Sequence, residues 1–73
     1  MDKEKQINEL IALLPEKRKK LGISRAKMGE LLEIPARTLQ DWEIGNRKPP
    51  LYVVKLIIRE LDRLISDNEE KLP

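Results

Sequence analysis

Ala36-Arg37-Thr38-Leu39-Gln40-Asp41-Trp42-Glu43 is the stretch on which the reading of this chain turns. On a helix, successive side chains are displaced by about 100°. Leu39, Trp42 and Glu43 then share one arc, while Ala36, Arg37, Gln40, Asp41 and Ile44 share the other. The first arc offers an aliphatic and an aromatic side chain to a core. The second sets a guanidinium and an amide on one outer surface, the groups that read base edges in a DNA major groove. The spacing predicts a short helix anchored on one side and presenting polar groups on the other.

The flanks support a helix of that length. Pro35 suits its first turn, where a missing N–H costs nothing, and Gly45 can stop it. Upstream, Ser24 is a natural N-cap for a helix over Arg25 to Leu32, with Met28, Leu31 and Leu32 as its inward face. Lysine at 27 excludes a capping box. Gly29 costs that helix about 1 kcal/mol against alanine. The cost makes sense if the helix beginning at Pro35 must approach closely there. Only Glu33 and Ile34 separate the two, too few for an antiparallel pair and suited to a helix-turn-helix corner.

Further out, Ile7, Leu10, Ile11 and Leu14 repeat as an amphipathic helix, preceded by a polar start over residues 1–5 expected to fray. Pro15 then removes a donor and crowds the preceding turn. Either one helix is kinked there, the preferred reading, or a short helix ends and Pro15 opens a second through Leu21. Gly22 fits the position that closes it. Beyond Gly45, Asn46-Arg47-Lys48-Pro49-Pro50 reads as a stiff basic loop, and a helical pattern resumes from Leu51 to about Asn68. Tyr52, Val54, Ile57, Ile58, Leu61, Leu64 and Ile65 form its apolar stripe. Val53 and Leu56 widen it beyond what one core contact needs.

Composition narrows the function. Seventy-three residues make one small domain, near the lower limit for a lone hydrophobic core. With no cysteine and no histidine there is no disulfide framework and no ordinary zinc site, and no metal or cofactor is expected. Those absences, with no glycine-rich phosphate loop, argue against an enzyme; the carboxylates of Glu69 and Glu70 stand in an acidic tail. The longest apolar run, Leu51 to Ile58, is broken by Lys55, so no membrane span or membrane partner is expected. Only Tyr52 and Trp42 are aromatic, which disfavours stacking on single strands. A cysteine-free chain without a signal-peptide pattern fits the cytoplasm. The net charge of +2 hides a sorting: Lys17 to Lys27 holds six bases and no acid, whereas five acids face two bases from Glu60 onward.

Arg18, Leu21-Gly22-Ile23-Ser24-Arg25, Leu31-Leu32-Glu33-Ile34-Pro35 and Thr38 to Pro49, with its W-E-x-G-x-R-x-P run from Trp42, carry a family likeness. The chain resembles the Cro/Xre-type helix-turn-helix family of bacterial and phage transcriptional regulators over residues 14 to 65. The resemblance implies an all-α, compact four- to five-helix bundle of the lambda-repressor-like type. Length and the apolar pattern give one domain over 1–73 with a core over 7–68, within which the resemblance implies a helix-turn-helix over 24–44. It also implies a sequence-specific regulator of double-stranded DNA, a repressor acting as a homodimer on an inverted repeat. Candidate pairing surfaces lie in 51–68, in 5–14, or in both. Ala36, Arg37, Gln40 and Asp41 would then meet base edges, with Arg37 on guanine, Gln40 on adenine and Ala36 against a thymine methyl. Asp41 would accept from cytosine or hold Arg37 in place. Arg25 and Lys27 in the preceding helix, and Asn46, Arg47 and Lys48 in the loop, would meet phosphate, with Arg25 also bracing the recognition helix. Arg18 would pair with Glu43 in a bidentate, partly buried ion pair. Two departures stand out: Glu33 occupies a corner where the family commonly has glycine, and the long N-terminal helix exceeds the minimal domain. Some members bind a toxin, so an antitoxin or anti-repressor that grips a protein partner is the alternative.

Overall fold

Four helices follow one another in the computed structural model, which describes residues 2–70: α1 (Lys3–Leu21), α2 (Arg25–Leu32), α3 (Ala36–Ile44) and α4 (Leu51–Glu70). Residue 1 and residues 71–73, the ends of the span read as one domain and the last part of its acidic tail, lie outside the described residues.

Each boundary has a chemical cause. The Asp2 carboxylate accepts from the Glu4 backbone N–H at 3.0 Å, so residues 3–5, expected to fray, are helical instead. α1 runs unbroken through Pro15, which excludes the reading of two separate helices. It closes at Gly22 in left-handed geometry, φ 67°, beside a last turn bearing Arg18, Lys19 and Lys20. Ser24 Oγ caps α2 by accepting from Lys27 N–H at 3.0 Å.

The corner between α2 and α3 is tight. Glu33 takes left-handed angles, φ 57° and ψ 39°, which lets the Ile34 N–H bond to the Gly29 carbonyl at 2.9 Å. Pro35 stands one position earlier than the first turn: it is the N-cap, φ −55° and ψ 136°, and its carbonyl accepts from Thr38 and Leu39. A proline has the fixed φ for either place, and the extended ψ decides for the cap. Gly29 is buried, and a Cβ built on it would stand 2.5 Å from the Ile34 carbonyl oxygen.

All four helices supply the core of Ile11, Leu14, Met28, Leu39, Val54, Ile57 and Leu61. α1 packs along α4, α2 pairs with α3, and α3 also touches α1. Lys17 Nζ meets Asp62 Oδ1 at 2.5 Å, tying α1 to α4. Further along α4, Arg63 hydrogen-bonds Glu60 and Asp67, and its bonds hold the exposed Glu60 carboxyl below its ordinary range.

Three apolar assignments change. Leu31, expected inside, is 46% exposed: Met28 defines the inward line of α2, and Leu32, about 40° from it, stays closer than Leu31. Tyr52, expected on the core stripe, is 68% exposed, because Val54, Ile57 and Leu61 set the buried side of α4 almost opposite to it. Val53, read as surplus, packs against the core. Leu56 remains 56% exposed. No helix among the described residues is long and apolar enough to cross a membrane.

Candidate nucleic-acid interface

α3 is held by its inner arc. Leu39 is fully buried, and Trp42 and Glu43 are half-buried beside it. Arg37, Gln40 and Ile44 are exposed on the outer arc, with Ala36 and Asp41 half-buried at its edges. Burying Leu39 while Arg37, two positions earlier, stays in water fixes the rotation of the helix about its axis. A Leu39→Ala change would cost about 2–5 kcal/mol at such a site.

The outer arc forms one wall of a shallow open recess. Ala36, Arg37, Gln40, Asp41 and Ile44 line it together with Arg25 and Ala26 of α2 and Asn46 of the following loop. The structure thus gathers Ala36, Arg37, Gln40 and Asp41 with Arg25 and Asn46. The loop is drawn toward this surface because the Asp41 carbonyl accepts from the N–H groups of Asn46 and Arg47, at 2.9 and 3.3 Å. Gly45, φ 86°, makes that turn possible. Lys27, Arg47 and Lys48 are exposed but do not line the recess. Lys27 stands 3.8 Å from Glu30, and Lys48 donates to Asn8 Oδ1 on α1. Ile44 and Ala26 are recess residues that the reading of the sequence did not single out. The position of Ile44 on the outer arc was its one signal.

The floor beside the recess is ionic. Arg18 Nη1 donates to both Glu43 carboxylate oxygens, each at 3.1 Å, and Arg25 Nε donates to Oε2 at 3.0 Å. The expected two-nitrogen fork from Arg18 is therefore absent: one nitrogen spans both oxygens, and a second arginine supplies the third bond. The Glu43 side chain is only 9% exposed. One carboxylate pins α1, α2 and α3 at a common point. Such a cluster fixes angles between helices more than it adds stability, because desolvation offsets most of its attraction. Among the described residues no buried side-chain polar atom lacks a partner.

The remaining charge is distributed unevenly. Arg37 and Arg47 make no ion pair among the described residues, and Asp41 makes none either. Two guanidinium groups are thus available to an anionic ligand near the outer arc. No cluster of His, Cys, Asp or Glu among the described residues could hold a metal ion.

Comparison with known families gives a match to the helix-turn-helix family model over residues 16–67, from the last third of α1 through most of α4. Neither the curated proteins nor the solved structures give a match.

Proposed function

Because the chain belongs to the Cro/C1-type helix-turn-helix family of DNA-binding regulators, we propose that it is a sequence-specific repressor that inserts α3 into the major groove of double-stranded DNA. The observation that carries this reading is the exposure of Arg37 and Gln40 opposite the buried Leu39. Arg37 offers two parallel donors to guanine O6 and N7, and Gln40 offers a donor and an acceptor to adenine; each such pair discriminates by about 1–3 kcal/mol. Ala36 presents a methyl group to thymine. Asp41 accepts from cytosine N4 or orients Arg37. Arg25, Lys27, Asn46, Arg47 and Lys48 contact phosphate and set register without reading sequence.

A domain of this size covers too little DNA for high affinity alone, so it acts as a homodimer on an inverted repeat whose half-sites lie about one helical turn apart. Tyr52 and Leu56, exposed one turn apart on α4, support a pairing surface there. The same two side chains favour the second reading, in which this face grips a toxin or an anti-repressor. Selection of binding sites from a random duplex pool at two salt concentrations tests the proposal. Enrichment of an inverted repeat, with affinity falling steeply with salt, is the expected result. A pool without enrichment, together with a salt-insensitive protein complex, favours the second reading. Acting on nucleoid DNA places the protein in the cytoplasm and requires no catalytic group.

A further inference from the structure

Glu43 is surrounded by more positive charge than it can match. Arg18 and Arg25 both bond to its carboxylate, and both are only partly exposed. One positive charge of the cluster is left over. It is held close to a fixed place, since three hydrogen bonds fix the carboxylate and its donors.

Arg25 is the member that faces outward. It uses Nε on Glu43 and has no other ion-pair partner among the described residues. A guanidinium carries five N–H donors in a rigid plane, so its two terminal nitrogens keep four. Its side chain, 35% exposed, lines the recess with Arg37, Gln40 and Asn46. A planar group anchored through Nε cannot turn freely. Its terminal nitrogens therefore present the fork that suits two oxygens of a phosphodiester.

We propose that Glu43 is a positioning residue for DNA binding: its carboxylate sets Arg25 so that the terminal edge of the guanidinium is held ready for a backbone phosphate bordering the groove that α3 enters. Glu43 stands on α3 and Arg25 on α2, so this phosphate contact forms only while the two helices keep their relative placement. The contact on the backbone is coupled in this way to the seating of the reading helix. The inference rests on the DNA-binding reading above, and takes one of its contacts further.

Salt titration of binding to a random-sequence duplex tests it without knowledge of an operator. Removing one phosphate-binding charge lowers the slope of log K against log salt by about 0.9. Arg25→Ala is expected to lower the slope by that amount per protomer. Glu43→Gln, folded by circular dichroism, is expected to lower it nearly as much, with no further loss in the Arg25→Ala/Glu43→Gln double variant. A Glu43→Gln protein of reduced melting temperature but unchanged slope overturns the inference. Should Glu43→Gln fail to fold, Arg25→Lys decides. Lysine keeps the charge but has no planar fork held through a separate nitrogen, so its slope should stay near wild type while its affinity for random duplex at fixed salt falls toward that of Arg25→Ala. A lysine variant with full wild-type affinity overturns the inference. Wild-type protein showing no salt-dependent duplex binding would overturn the DNA-binding reading itself, a different outcome from either.

Discussion

The Cβ that an alanine would carry at Gly29 falls 2.5 Å from the carbonyl oxygen of Ile34, inside any contact that real side chains make. The same Cβ would stand 3.3 Å from the backbone nitrogen of Ala36. Both neighbours are main chain, so neither can swing aside as a side-chain tip does. The glycine that weakens α2 locally is what allows the corner to close and brings α3 against α2.

Gly29→Ala is accordingly expected to destabilise the protein by about 1–3 kcal/mol, although alanine is the better helix former by about 1 kcal/mol. Denaturant unfolding measures it. A stabilised variant would show that the close approach of α2 and α3 is not a constraint.

Glu33 sits in left-handed geometry without the freedom of glycine. Relief of that strain, less the extra entropy of an unfolded glycine, predicts that Glu33→Gly stabilises by about 0.5–1 kcal/mol. It also removes an acid from the corner between α2 and α3. Thermal unfolding and duplex affinity should both rise; a fall in melting temperature would mean that the Glu33 side chain contributes something the backbone geometry does not indicate.

Arg18 and Glu43 should behave as a coupled pair. Arg18→Met leaves the Glu43 carboxylate short of two of its three hydrogen bonds, and a loss of about 1–3 kcal/mol is expected. The double variant Arg18→Met/Glu43→Leu should lose less than the sum of the single losses, because the buried carboxylate goes with its partner and the one charge left unmatched, Arg25, reaches solvent. Additive losses in a double-mutant cycle would argue against coupling.

Arg47 is exposed and unpaired among the described residues, on the loop that Asp41 holds in place. Arg47→Ala should weaken all duplex sequences alike and lower the salt slope by about 0.9 per protomer. Loss confined to one sequence would reassign Arg47 from phosphate to base. On the other face, Leu56→Lys should shift sedimentation toward monomer; an unchanged dimer removes that side of α4 from the pairing surface.

Much of this fold was legible from spacing. The arcs of α3 follow from the helical period alone, and Gly22, Gly45 and Ser24 lie at helix ends where their backbone and capping preferences put them. What escaped was set by tertiary neighbours. Leu31 and Tyr52 satisfy an apolar pattern, yet Leu31 stands about 60° off the inward line set by Met28 and Tyr52 lies almost opposite the covered side of α4. The Asp2 cap was hidden in a polar start whose periodicity says nothing. The partner of Arg25 could not be read from the chain order, because Arg25 and Glu43 meet only once the corner at Glu33 has folded the two helices together. Ile44 lay on the outer arc from the start, but only the recess shows which side chains surround it.

The central claim is that the outer arc of α3 reads bases, and Arg37 tests it most directly. Wild-type protein and Arg37→Ala should be compared on a selected operator, on every single-base variant of one half-site, and on random duplex. The account predicts that preference at one base pair, worth about 1–3 kcal/mol, disappears while binding to random duplex stays nearly unchanged. A uniform loss across all sequences, with every base preference intact, would contradict it.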